Sequence, residues 1–293
     1  MNKQRVLLRA LSLIPGLGPV SIIKIIKLYP DLELLWCESY ENLCKKLNQR
    51  TVDIISSHIH KINPYQLERE FNLQTIKYLT ILDKEYPTLL KEIYDPPIIL
   101  YYKGNLNALS YENKLAVVGS RKISLYGKQI VPSLLKPIVE KNIIIVSGLA
   151  VGVDSHAHQL SVNLNKPTIA VLGSGIDCKS FYPKDNFGLA QSIINNRGII
   201  ISEYPPLTSP RPEYFRRRNR IISGLCQASL IIEAAERSGS LITAYQALEQ
   251  NREIMAIPGS ILLTNSIGTN KLLQRGAKLI VESNDILEVY IND

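Results

Sequence analysis

LAVVGSRKISLYG, residues 115 to 127, sets four apolar residues against a loop of small and basic ones, and the same pairing recurs along the chain. IIIV (143 to 146), TIAVL (168 to 172), IIIS (199 to 202), SLII (229 to 232), EIMAI (253 to 257) and KLIV (278 to 281) follow, with helical stretches between them. Apolar runs without alternation fit strands buried on both faces, and helices between strands fit the crossovers of a parallel sheet. The expectation is an α/β fold, a Rossmann-like doubly wound and mostly parallel sheet, over residues 83–293.

Working towards the N-terminus, the pattern changes. YPTLLKEIYDPPIILYYKGN (86 to 105) is rich in turns, and Asp95-Pro96-Pro97 cannot lie inside a helix, so a junction is expected near Ile81 to Tyr86. Before it, from Leu7 to about Leu79, apolar residues recur every three or four positions, as in Val52, Ile55, Ile59 and Ile62. Residues 1–82 therefore read as a small helical domain. Within it, IPGLGP (14 to 19) sits between two helical patterns and has the look of a helix-hairpin-helix, in which backbone amides face a phosphate. A plain Gly-Pro turn fits the same residues.

The bulk numbers narrow the class. A chain of 293 residues with 45% hydrophobic and 20% charged residues has the composition of a globular protein. Its four cysteines, Cys37, Cys44, Cys178 and Cys226, contain no C-x-x-C pair, so neither a disulfide framework nor a cysteine zinc site is indicated. Arg9 splits the apolar stretch near the N-terminus and no small-residue cleavage site follows, while no window is long enough to span a bilayer. A cytoplasmic location is the expectation. The net charge of +8 favours polyanions. Five arginines, Arg211, Arg216, Arg217, Arg218 and Arg220, fall among ten residues with the single acid Glu213. A solvated loop is the ordinary reading of such a run.

In open α/β sheets ligands collect beyond the carboxyl ends of the strands, where helix N-termini present free N–H groups. Here those ends carry GSRKISLYG (119 to 127), SGLAVGVDSHAH (147 to 158), GSGIDCKSFYPKDN (173 to 186), EYPPLTSPRPEYFRRRNRIISG (203 to 224) and EAAERSGSLITA (233 to 244). Small residues let a ligand backbone approach, and arginine offers a forked donor to phosphate. Nucleotide cofactors are disfavoured: the G-x-G-x-x-G that starts at Gly173 has Cys178 at its third glycine, and no G-x-x-x-x-G-K-[ST] exists. There is no G-x-S-x-G elbow for a hydrolase. His156 and His158 stand on different sides of a helix start, and one of them reads as a brace within the fold rather than a metal ligand. The acids Asp154, Asp177, Glu203 and Glu233 lie on separate loops, where each reads as a loop brace or an arginine partner unless a two-metal site gathers them. No cofactor and no metal are expected.

The loops together resemble a known family. VVGSRKISLYG, VSGLAVGVDSHAH, AVLGSGID with YPKDN, ISEYPP, FRRRNRIISGL, AAERSGSLITA and IPGSILLTNSIGTNKLLQRGA are similar, in order, to the motifs of the DNA-processing protein A (DprA/Smf) family over Tyr86 to about Ile280. The resemblance implies a protein without catalytic activity that binds and protects single-stranded DNA in natural transformation and helps to load the RecA recombinase, as a homodimer joined through the Rossmann-type domain. It implies a phosphate-binding loop at Gly119, Ser120 and Arg121. It further implies that Ser147, Gly148, Lys184, Asn186, Arg217, Arg218, Asn219, Arg220, Ser238, Gly239 and Ser240 line the same positive pocket. The N-terminal region resembles the family's sterile-alpha-motif-like domain. Many members carry a winged-helix domain beyond the Rossmann-type domain, and with the sequence ending at Asp293 its functions are not expected here.

An enzyme of related fold is the competing reading. Cytokinin-activating phosphoribohydrolases act on nucleoside monophosphates through P-G-G-x-G-T-x-x-E at a strand end. Here SGSLITAYQ has Gln246 where the catalytic glutamate would stand, which removes the acid/base agent.

Overall fold

The structure is a computed structural model describing residues 3–73 and 75–291. Among them, nine strands form one sheet: β1 (Lys77–Thr80), β2 (Ile99–Gly104), β3 (Lys114–Val118), β4 (Ile144–Ser147), β5 (Thr168–Leu172), β6 (Ile199–Ser202), β7 (Ala228–Ile231), β8 (Glu253–Ala256) and β9 (Lys278–Leu279). Their order across the sheet is β1-β2-β6-β5-β4-β3-β7-β8-β9. From β6 to β9 every pairing is parallel, as the apolar runs require. The doubly wound α/β fold expected from the sequence is present.

Side-chain alternation on β3 shows why its run has no polar gap. Leu115 and Val117 enter the core formed with the helices Leu125–Glu140, Val153–Asn163 and Ser283–Ile291. Ala116 and Val118 enter the opposite core, which Ile221, Ile222, Leu241 and Ala244 complete from the helices Pro212–Gly224 and Gly239–Glu249. Both faces are covered, so both parities of the strand must be apolar. The chain leaves β3 for β4 on one side and crosses from β6 to β7 on the other. The strand order thus reverses between β3 and β7, and a crevice opens at their carboxyl ends.

The sheet takes in two strands for which no strand pattern was read. β1 and β2 add to β6 antiparallel, with Tyr101 opposite Ser202 and Tyr78 opposite Tyr101. β1 lies on the helical side of the division expected at residues 82 and 83, and β2 follows directly on the Asp95-Pro96-Pro97 junction. β1 is only four residues long and follows a helical pattern, so periodicity had little length in which to register it.

The N-terminal helices, including Lys3–Ser12, Pro19–Leu28, Gln49–His58 and Pro64–Asn72, pack on this edge and share its core through Leu8, Leu11, Ile25, Phe71, Tyr78 and Tyr101. A buried polar knot ties them to the sheet. The Arg9 guanidinium lies 3.2 Å from the Glu68 carboxylate, donates to Leu67 O and sits 4.1 Å from the centroid of the Phe71 ring, while the Tyr78 hydroxyl donates to Glu68 at 3.0 Å. A second knot lies under β5: the Thr168 hydroxyl donates to Ile145 O, so it accepts from His158 Nδ1, which must carry the proton. Burial holds the His158 imidazole far below its ordinary value, at about 3.

Two outcomes follow from these knots. Arg9→Ala leaves a buried carboxylate unpaired and is expected to lower the unfolding free energy by about 3 kcal/mol in urea titrations, with Arg9→Met combined with Glu68→Leu recovering most of the loss. Parent-like stability of Arg9→Ala would remove the knot from the account. For His158 the folded form stays neutral while the unfolded form takes up a proton below pH 6.5, so acidification favours unfolding. Stability should fall by about 2 kcal/mol between pH 7 and pH 5 through this group, and His158→Gln should flatten that part of the profile. An unchanged pH profile in the variant would refute it.

Candidate functional site

The crevice between β3 and β7 widens into a cavity of about 750 Å3. Gly119, Ser120, Arg121 and Lys122 line it from the loop after β3. Phe215, Arg216, Arg218 and Asn219 line it from the Pro212–Gly224 helix. Arg237, Ser238, Gly239, Ser240 and Thr243 approach from the loop and helix after β7, and Asn265 from the segment after β8. These pieces meet because all the parallel strands end on one edge of the sheet.

Local hydrogen bonds set the first loop. The Ser120 hydroxyl accepts from Lys122 N and donates to Lys122 O, folding the loop on itself. Ser124 caps the Leu125–Glu140 helix by accepting from Gly127 N, and both its amide and its hydroxyl donate to the Glu233 carboxylate from the loop after β7. Glu233 therefore fastens the two sides of the crevice together. Gly152, with φ +92°, lies so close to Arg121 that a Cβ there would stand 2.7 Å from Arg121 O, and Ser120 O accepts from Val153 N at 3.1 Å. On the opposite wall, Ser238 caps the Gly239–Glu249 helix, accepting from Ser240 N, and aims that helix N-terminus at the cavity.

The two loops between are held by a buried cation. The Arg218 guanidinium, 5% exposed, donates to Gly148 O at 2.7 Å and to Val171 O, and its Nε donates to the Asn219 side chain. A Cβ at Gly148 would stand 2.6 Å from the guanidinium carbon, so a side chain there would push the guanidinium off its carbonyl acceptors. Asp154 accepts from the amides of Gly148 and Ala150. Burial raises its carboxyl above the ordinary value, with Arg218 and the amides opposing. Burial also lowers Arg218, to about 10; Asp154 opposes this and Arg121 adds to it. Each group thus opposes the effect of burial on the other.

The residues expected to form one pocket thus divide. Gly119, Ser120, Arg121, Arg218, Asn219, Ser238, Gly239 and Ser240 line the cavity, Arg218 from its buried position. Ser147 is buried with its hydroxyl donated to Val117 O, and Gly148 lies beneath Arg218. Lys184 donates to Cys178 O and Lys179 O, and Asn186 donates to Leu149 O; both hold loops and neither lines the cavity. Arg220, 4% exposed, is bound to Glu203 at 2.6 Å and to Asp95 at 2.9 Å, which ties the helix to the junction before β2. Arg217 faces Glu203 at 3.5 Å on a different cavity, shared with Gly16, Gly18 and Pro19. The arginine run is therefore not a solvated loop: Pro212–Gly224 is a helix with Arg216 and Arg217 outward and Arg218 and Arg220 inward.

Two cavity cations, Lys122 and Arg237, were not named individually from the sequence, and Arg216 was named only within the arginine run. All three lie inside quoted motifs, and only the loop and helix geometry tells which residue of a motif faces the cavity. Arg121 is exposed, with its guanidinium carbon 5.8 Å from the centroid of Phe215, and among the described residues it forms no ion pair with Asp154. Tyr182 stands 5.4 Å from Phe215, ring to ring. The four acids are braces: Asp177 accepts from the amides of Lys179, Ser180 and Leu207, Glu203 pairs with arginine, and Asp154 and Glu233 hold the loops already described. Among the described residues no group of three or more His, Cys, Asp or Glu is placed to hold a metal ion, and no helix is long and apolar enough to cross a membrane.

Comparison with known proteins bears on this arrangement. The family model for DNA recombination-mediator protein A matches residues 77–291, beginning at the first residue of β1. The DNA processing protein DprA of Bacillus subtilis is 45% identical over 215 residues, 73% of this chain and 71% of its own length. That of Streptococcus pneumoniae is 44% identical over 241 residues, 82% and 83% of the two chains. The X-ray structure of the Streptococcus pneumoniae protein superposes with a TM-score of 0.85 over 98% of each chain at 38% identity. A structure of DNA processing protein A from Helicobacter pylori, described for its single-stranded DNA binding mode, gives 0.67 at 30% identity over 75% of this chain and 97% of that one. With the strand order, the crevice loops and these matches in agreement, the chain belongs to the DNA recombination-mediator protein A family.

Proposed function

We propose that this protein binds and protects single-stranded DNA during recombination or natural transformation, in the cytoplasm, and assists the loading of RecA on the strand. The observation that carries the reading is the lining of the switch-point cavity. It gathers Arg121, Lys122, Arg216 and Arg237 with a capped helix N-terminus, while Asp154, the carboxylate in the same lining, is held by two amides. Such a set grips a phosphate chain and leaves base edges unread. The relatives named DNA processing protein and the single-stranded DNA binding described for the Helicobacter pylori protein support it.

The proposed contacts are Gly119, Ser120, Arg121, Lys122, Arg216, Asn219, Arg237 and Ser238 to Ser240. Ser147, Gly148, Lys184, Asn186, Arg218 and Arg220 shape the loops instead. Binding proceeds without turnover on this reading, since Gln246 replaces the glutamate of the related phosphoribohydrolases and the strand-end acids are committed elsewhere. The helical unit, proposed to span residues 1–82, docks as a second domain. The active form is a homodimer joined through the late part of the sheet. Tyr245, Leu248 and Leu279 are exposed there, the first two along a cavity of about 310 Å3 beside the two-residue edge strand β9. Light scattering at micromolar concentration should give a dimer mass, and a concentration-independent monomer would remove that element.

Fluorescence anisotropy with labelled strands across a salt series tests the site. Single strands should bind more tightly than blunt duplex, and equal or tighter duplex binding sinks the proposal. Arg121→Ala should weaken all sequences alike and reduce the slope of log K against log salt by about one unit, with unfolding unchanged. Parent-like binding across the series would misplace the pocket. Arg218→Ala should behave oppositely. It leaves Gly148 O, Val171 O and Asp154 without their cation, so the expected signature is a loss of about 3 kcal/mol of stability. A stable Arg218→Ala variant with a reduced salt slope would return Arg218 to the contact set.

A further inference from the structure

The segment after β8 exposes more apolar surface than a turn needs. Leu263 N donates to Ser260 O at 3.1 Å, closing a turn whose two central residues are Ile261 and Leu262, 84% and 89% exposed. Turns favour Gly, Pro, Asn and Asp at such places, and two branched aliphatics there gain nothing from the fold. Leu263, 51% exposed, follows, and Leu125, 78% exposed, opens the Leu125–Glu140 helix nearby with Tyr126 beside it.

The position of this turn is fixed by two hydrogen bonds. The Tyr126 hydroxyl donates to Pro258 O at 3.1 Å, and the Asn265 side chain donates to Lys122 O at 3.0 Å. The turn is thereby clamped on both flanks to the loop and helix start after β3, at the edge of the cavity that Lys122 and Asn265 also line. The exposed cations Lys122 and Arg237 line that same cavity, and the exposed carboxylate Glu236, next to Arg237 in the chain, is paired with Lys271 at 2.5 Å.

An apolar rim within a cationic field fits a partner that is both anionic and apolar. A single nucleic-acid strand is such a partner, with phosphates on one side and unpaired bases on the other. We infer that Ile261 and Leu262, with Leu125 and Tyr126, form a platform that packs against bases of the strand whose phosphates occupy the cavity. The inference rests on the DNA-binding reading of that cavity. The two sites divide the strand between them, Arg121 and its neighbours holding backbone and the rim covering base faces that water otherwise wets. Aliphatic side chains make such contacts with unstacked bases without reading their edges, so the platform adds affinity and not sequence preference.

The test compares a labelled oligothymidylate with an abasic strand of equal length and charge, using the full chain and the double variant Ile261→Ser, Leu262→Ser. Both side chains are almost wholly exposed, so thermal unfolding should match the parent. The parent should bind the oligothymidylate about tenfold more tightly than the abasic strand. The variant should bind both as the parent binds the abasic strand, with the salt slope unchanged because no phosphate contact is lost. Retention of the parent's preference by the variant overturns the platform while leaving the cavity reading intact. Failure of the parent to bind either strand overturns both. A variant that becomes monomeric while the parent is dimeric identifies the rim as a contact between copies and overturns its role toward bases.

Discussion

The Arg218 guanidinium sits between the ends of β4 and β5 and supplies the protons that the backbone there lacks. Gly148 O and Val171 O point into a region closed to water, and without a donor each would carry an unsatisfied acceptor. The cation itself is tolerable because Asp154 is near and is in turn held by two amides of the same loop. Removing any one member strands the others. That mutual dependence fixes the heights of the loops after β4 and β5, and through Gly152 the height of the loop carrying Arg121. Arg121 therefore owes its position in part to the inward cation.

This division explains what the sequence did and did not disclose. Most strands of the parallel sheet were legible as apolar runs, and the edge that carries the cavity followed from topology. The loops Gly119 to Arg121 and Ser238 to Ser240 were legible because small residues at a strand end leave room for a ligand. Arg218 and Arg220 were not separable from Arg216, since a run of arginines has the same appearance whether a residue faces solvent or a carbonyl. Only the helical phase of Pro212–Gly224, and the position of Glu203 and Asp95 around it, sorts them. Lys184 and Asn186 were misleading for a related reason: polar side chains on loops bond to backbone carbonyls as readily as to a ligand.

The edge strands show a different limit. β2 combines apolar and half-exposed residues because one edge meets β6 and the other only the short β1. Its run Ile98-Ile99-Leu100-Tyr101-Tyr102 is β-branched and aromatic, but it stands directly after Asp95-Pro96-Pro97 and was read with the turn-rich segment, while its partners lie far away in sequence. The N-terminal helices use the strand as their floor, with Tyr78 and Tyr101 turned to Phe71 and Arg9. Helix packing alone thus does not account for that unit; a mixed aromatic and ionic contact with the sheet completes it.

The partnership of β2 with β6 has a consequence for synthesis of the chain. Tyr101 pairs with Ser202, so β2 leaves the ribosome about a hundred residues ahead of the strand that covers it, an interval on the order of ten seconds at ordinary elongation rates. Throughout that interval the nascent N-terminal portion has only β1 to pair with one side of β2. The other side is an open row of amides and carbonyls next to Tyr101 and Leu100, the kind of surface that recruits a strand from another chain. The prolines at positions 96 and 97 stand immediately ahead of this strand and limit how far a stray pairing can extend along it. Completion of the sheet on this side therefore waits on the emergence of β6, and a chaperone that shelters nascent chains would find its surface at the open edge of β2 before anywhere in the switch-point cavity.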